Sequence, residues 1–199
     1  MPQPLDLGFL LSHGGSSMRG IVGAIASGAL PARARIAIGN NAEAPGLAWA
    51  RSQAIPTRHI SAAIAGGADV ADRAIAEALA ASGVGLVVLS GYLRPVGPAV
   101  LGRFRVLNIH PGPLPRFGGR GLYGRHVHAA VLAAGVPESA ATVHLVDGEY
   151  DHGEIIAVEP VPVRPDDTPD TLQARVMAVE PGLFVRTLQA IAAGTIALP

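Results

Sequence analysis

Short apolar runs alternate in the first half of the chain with longer stretches whose apolar residues recur every three or four positions. Residues 5–12, 35–39, 85–90 and 106–109 have the length and continuous apolarity of buried strands, and a shorter one is predicted over 58–60. Between them the helical period predicts helices over 16–29, entered through Gly14 and Gly15, over 44–52, closed by Ile55-Pro56, and over 69–82, where Gly83 is a natural C-terminal cap. Strands that alternate with helices need crossover connections. The expectation is therefore an α/β fold with a mostly parallel central sheet and helices on both faces.

The second half changes character. Residues 111–125 hold three prolines and five glycines, too many for a regular element, and long loops in small domains are usually functional. A helix is predicted over 126–134, strands over 141–147 and 154–164, and a terminal helix over 168–193 with Pro169 in its first turn. A chain of 199 residues that is 49% apolar can bury one sizeable core. It is read as a single domain, 1–199, with one half ending near 104 and the other starting near 105.

Composition removes several chemistries. The formal charge is zero, which disfavours nonspecific nucleic-acid binding. Cysteine is absent, so disulfides, thiolate metal sites and a cysteine nucleophile are excluded. Lysine is absent as well, and all fifteen basic residues are arginine, which excludes Schiff-base chemistry and a phosphate-binding lysine. No apolar run approaches the roughly 20 residues of a spanning helix, and Met1-Pro2-Gln3-Pro4 does not begin a signal peptide. The expected setting is the cytoplasm. The expected partners are small-molecule substrates, without nucleic acid or membrane, for a monomer or homodimer.

Histidine is unevenly distributed. Of seven, five (His110, His126, His128, His144 and His152) fall between 110 and 152, together with Asp147, Glu149 and Asp151. His126 and His128 are two apart, about 200° around a helix, so they cannot chelate one ion together, and no metal is expected. His128 and His144 are equally readable as packing histidines. The densest signal is Asn108-Ile109-His110-Pro111-Gly112-Pro113-Leu114-Pro115. Asn108 and His110 project to one face of a strand end, where Pro111 forces the chain outward. An amide and an imidazole at that end of a parallel strand can hold a carbonyl oxygen as it becomes an oxyanion. The bland alternative is a strand end capped by asparagine.

With that segment, the apolar strand ending in Ser90-Gly91-Tyr92-Leu93-Arg94, and the downstream Val146-Asp147-x-x-x-Asp151-x-Gly153, the chain resembles the folate-dependent formyltransferases over about 7–188. The resemblance implies their Rossmann-like fold, with antiparallel strands and a long terminal helix in the second half. It implies formyl transfer from 10-formyltetrahydrofolate to an amine, that of 5-phosphoribosylglycinamide, with no metal. It assigns catalysis to Asn108, His110 and Asp151, with His128 and His144 supporting them from behind. Gly14, Gly15, Ser16 and Ser17 match a loop that holds the acceptor's phosphate, and Glu180 matches a residue that accepts its ribose hydroxyls. Leu93, Arg94, Pro95 and Val96, with Asn108, Asp147 and Asp151, match the folate pocket. The chain departs from the family pattern at Ser17, where asparagine is usual, at Met177, where a polar residue is usual, and near Ala68, which lacks an arginine for the folate tail that Arg73 could replace. The loop over 116–125 is a few residues longer than in shorter members.

The implied chemistry is attack of the amine on the formyl carbon, with Asn108 and a protonated His110 donating to the oxyanion and Asp151 favouring the imidazolium. Rival readings are a formyltransferase for an amino sugar nucleotide or for initiator methionyl-tRNA, a formyltetrahydrofolate hydrolase, and a nucleotide-binding module without catalysis. The tRNA enzyme has a further C-terminal domain and the hydrolase an N-terminal regulatory one. The binding module predicts a full G-x-G-x-x-G, which Gly14 to Gly20 does not provide, and no G-x-S-x-G supports a serine hydrolase.

Overall fold

In the computed structural model, which describes residues 4–199, strand β1 (Leu5–Leu11) is the third strand of a seven-stranded sheet of order β3-β2-β1-β4-β5-β6-β7. The Met1-Pro2-Gln3 start, read above for a leader, lies outside the described residues. β2 (Ala32–Gly39), β3 (Thr57–His59), β4 (Leu86–Leu89) and β5 (Arg105–His110) join β1 in parallel, whereas β6 (Glu138–Leu145) and β7 (Ile155–Pro162) are antiparallel additions at one edge.

The apolar runs have no polar alternation because the sheet is covered on both faces. Leu7, Phe9 and Leu11 of β1, with Leu86 and Val88 of β4, enter one core with Met18 and Ile21 of α1 (Ser16–Ala26), Leu47 of α2 (Pro45–Ser52), Val127 of α6 (Arg125–Ala133) and Phe184 of α7 (Pro169–Ala192). Leu10, Val87 and Leu89 face the other core with Ile75 and Leu79 of α4 (Ala68–Ala81) and Val100 of α5 (Pro98–Leu101).

Several boundaries differ from expectation. α1 stops at Ala26, because Gly28 adopts φ 77° and turns the chain towards β2. β2 starts three residues early: its outward Arg33 and Arg35 interrupt the apolar run but sit over Asp6, with nitrogens 2.9 and 3.8 Å from its Oδ1. The four-residue helices α3 (Ala62–Ala65) and α5 were not anticipated, being too short to express a helical period. α7 runs through Pro181, whose ring meets Gly20 of α1: a Cβ on that glycine would lie 2.8 Å from the proline Cβ. Among the described residues no helix is long and apolar enough to cross a membrane.

The chain leaves β1, builds outward through β2 and β3, then returns to place β4 on β1's other side. Connections therefore diverge between β1 and β4, the usual place for a ligand crevice. Two serines knit that junction. Ser12 Oγ accepts from Leu93 N at 2.9 Å, and Ser90 N donates to Leu10 O at 2.8 Å.

Candidate active site

At the end of β1 the chain turns through Gly15, which caps α1 in the left-handed region at φ 67°. A Cβ there would be strained and only 3.0 Å from Met18 Cε. Of the first-turn amides, Met18 N donates to Ser90 Oγ at 2.9 Å. The Ser16 and Ser17 amides have no acceptor among the described residues. A left-handed residue followed by helical ones aims successive N–H groups at one point, an arrangement suited to an anion. Gln173, Met177 and Glu180 of α7 line the same cavity as Ser16 and Ser17, of about 1080 Å³.

The other end of the cavity holds the histidine and carboxylate groups. β5 presents Asn108 and His110, cross-strand neighbours of His144 and Thr142 on β6. The His144 ring is buried. Its Nδ1 lies 2.8 Å from the Leu145 carbonyl, which can only accept, so Nδ1 carries the proton and Nε2 is left as an acceptor. Nε2 takes one N–H of Asn108 at 3.1 Å, leaving the second for the cleft. It also lies 3.5 Å from Asp151 Oδ1, but the shorter contact decides its role. His110 Nε2 lies 2.8 Å from the Phe117 carbonyl and Nδ1 3.3 Å from Asp151 Oδ2. Both nitrogens face acceptors, and a doubly protonated ring satisfies both.

Asp151 itself sits in the left-handed region at φ 56°, tolerable for aspartate and uncommon elsewhere. Gly118 packs against its Cβ, and Gly153 lies on the Leu145 carbonyl with no space for a side chain. Gly119 N donates to Oδ2 at 3.1 Å. Burial alone would raise the Asp151 carboxyl. The hydrogen bond of His110, the contact with the His144 imidazole, the charge of His110 and the Gly119 amide hold it well below the usual carboxylate range.

Two further groups on the cavity wall are displaced in opposite senses. Burial pushes Glu180 up to about 7, against a smaller opposing effect of His110. Burial, with the charge of His110, lowers His128 to about 4, and neither of its ring nitrogens has a hydrogen-bond partner among the described residues.

The cavity thus brings together Ser16, Ser17, Leu93, Arg94, Asn108, His110, His128, Asp151 and Glu180. Gly14 and Gly15 shape the loop without lining it, and His144 lies behind Asn108. Pro95 and Val96 line a neighbouring cavity of about 650 Å³ with Ala68 and Asp69, joined to the first through Tyr92, Arg94 and Asn40. Arg73 lines neither cavity. Nor does Asp147, which accepts from Glu149 N and pairs with His152 Nδ1, both at 2.8 Å. The sequence reading missed the walls supplied by Ser12, Asn40, Tyr123, Tyr150 and Gln173, and the knitting role of Ser90. Among the described residues, no three His, Asp or Glu side chains are grouped to hold a metal ion.

Residues 7–188, which include every group in this cleft, match the family described as formyl transferase. The chain belongs to that family. It is 39% identical to phosphoribosylglycinamide formyltransferase of Mycobacterium tuberculosis (strain ATCC 25618 / H37Rv), covering 95% of this chain and 86% of that protein. It is 37% identical to the chloroplastic phosphoribosylglycinamide formyltransferase of Arabidopsis thaliana over 96% of this chain. It spans less than two thirds of two plant relatives, 66% of that one and 60% of the chloroplastic relative from Vigna unguiculata. The crystal structure of glycinamide ribonucleotide transformylase 1 from Symbiobacterium toebii superposes with a TM-score of 0.90 at 33% identity, covering 98% of this chain and 91% of that one. Within this formyl transferase the cleft wall is not polar throughout, since Met177 lines it together with Ser16 and Ser17.

Proposed function

We propose that this chain transfers the formyl group of 10-formyltetrahydrofolate to the amine of 5-phosphoribosylglycinamide, a step of purine biosynthesis. The observation that carries this reading is one cleft with an unpartnered pair of helix amides at one end and the Asn108–His110–Asp151 group at the other. The named relatives support the same acceptor. The first half, to about 104, would hold the phosphate and the second, from about 105, the reacting atoms.

The acceptor phosphate sits on the Ser16 and Ser17 amides, with Glu180 towards its ribose. Folate lies against Leu93, Arg94, Pro95 and Val96, with Asp147 on the loop beside it. The amine attacks the formyl carbon and the carbonyl electrons move to oxygen. Asn108, oriented by His144, donates its free N–H to that oxygen, and the His110 imidazolium adds positive charge beside it. The proton lost by the amine passes to water held by Asp151. The oxyanion then collapses, the bond from the formyl carbon to the folate nitrogen breaks, and that nitrogen takes a proton from His110; the proton on the water returns to His110 and restores the neutral His110–Asp151 pair. No metal takes part in these steps.

The test is a formyl-transfer assay with purified protein. Formylation of phosphoribosylglycinamide, with no turnover of an amino sugar nucleotide, is the expected result. Preference for the amino sugar nucleotide, or transfer to neither, overturns the reading.

A further inference from the structure

The anion loop has a cation fixed to it that the reading above does not use. Arg19, on the first turn of α1, folds back so that its Nε donates to the Gly14 carbonyl at 2.9 Å. Its guanidinium lies over the indole of Trp49 on α2, 5.0 Å from the ring centroid. That stacking holds the plane in place from its far side. Arg19 is exposed, and its Nη groups make no bond to a carboxylate among the described residues.

The consequence follows from peptide geometry. In a trans peptide the C=O and N–H point in opposite directions. A Gly14 carbonyl pulled towards Arg19 turns the Gly15 N–H the other way. Gly15, in its left-handed conformation, then passes the chain to the free amides of Ser16 and Ser17. Glycine at both positions leaves this peptide otherwise free to rotate, so a side chain must hold it. The loop has a second sign of awaiting a ligand. Ser17 is 3% exposed and lines the cavity, and its hydroxyl has no partner among the described residues. On the cavity wall α7 offers Met177, which is neutral, while the arginines there, Arg94 and Arg120, belong to other segments.

We infer that Arg19 is a positioning residue for the acceptor's phosphate: clamped between the Gly14 carbonyl and Trp49, it fixes the anion loop and supplies its positive charge. This rests on the acceptor proposed above. It goes further by making phosphate affinity depend on a side chain outside the cavity wall.

The experiment compares wild type with Arg19→Gln, Arg19→Lys and Trp49→Leu, using phosphoribosylglycinamide and its dephosphorylated ribonucleoside as acceptors. Arg19→Gln should raise KM for the phosphorylated acceptor about tenfold. It should leave kcat and KM for the folate within about twofold, and leave turnover of the ribonucleoside unchanged. Arg19→Lys and Trp49→Leu should fall between. Added salt should raise the wild-type KM more than that of Arg19→Gln. An unchanged KM, or equal losses with both acceptors, would overturn the inference. Wild type that ignores both acceptors would instead defeat the proposed reaction, so the two failures are distinguishable.

Discussion

His110 and Asp151 stand 3.3 Å apart, Nδ1 to Oδ2, although one ends β5 and the other follows β6 on the turn leading to β7. What joins them is the antiparallel edge of the sheet. β6 carries the chain back along β5, and the left-handed turn at Asp151 drops its carboxylate between two glycine contacts onto the imidazole.

If that pair works as an acid and its counter-charge, Asp151→Asn should keep the fold and lower kcat by roughly 10²–10⁴. The high-pH limb of the pH–rate profile should move to lower pH, because the imidazolium loses its anion. A kcat within a few-fold of wild type and an unmoved profile would show that the carboxylate merely secures the turn through Gly119 N.

Asn108→Ala should cost about 10²–10³ in kcat through loss of one oxyanion donor. His144→Leu should cost less, about tenfold, because it removes the acceptor that orients Asn108 and leaves the donor itself. The two losses should not multiply in the double variant, a non-additivity that single-turnover rates can measure.

Glu180 gives the protein a pH signature. Its folded value is raised to about 7 from 4.5, so between those values the native state keeps a proton that the unfolded chain has released. Stability therefore falls as pH rises through that window. Glu180→Gln should flatten the trend, leaving the variant more stable than wild type by about 2–3 kcal/mol at pH 8 and matched to it at pH 4. Thermal unfolding at a series of pH values reads this directly.

His128 has the opposite sign. Its folded value is lowered to about 4 from 6.5, so the unfolded chain takes up a proton that the native state refuses, and stability declines as pH drops through that range. His128→Leu should remove the decline. It should also stabilise the protein at pH 7 by about 1 kcal/mol, because two buried nitrogens without partners are deleted. Urea unfolding at pH 7 and pH 5 distinguishes the two effects.

The central strands were legible because both faces are buried: 5–12 and 85–90 read as continuous apolar runs, and the observed β1 and β4 lie inside them. The Asn108–His110 pair was legible because a strand's two-residue period places both on one side. Pairing with Asp151 was not a local property. It depends on the register of β5 with β6, and only the family resemblance pointed to it. Ser90 was invisible for a related reason: its value to Met18 N exists only because β4 inserts beside β1. Asp147 lines neither cavity because the nearer attraction of His152 and Glu149 N ties its carboxylate to its own loop.

The meeting of Gly20 with Pro181 acts as a spacer between the two halves of the acceptor site. One side of that contact continues into the helix that begins with Ser16 and Ser17, and the other directly follows Glu180. A single methyl added at residue 20 would push the two helices apart at residues that line neither cavity, lengthening the reach between the anion loop and the Glu180 carboxyl. Selection for a longer or bulkier acceptor could act there first, tuning the span of the crevice without altering a group that touches what it binds.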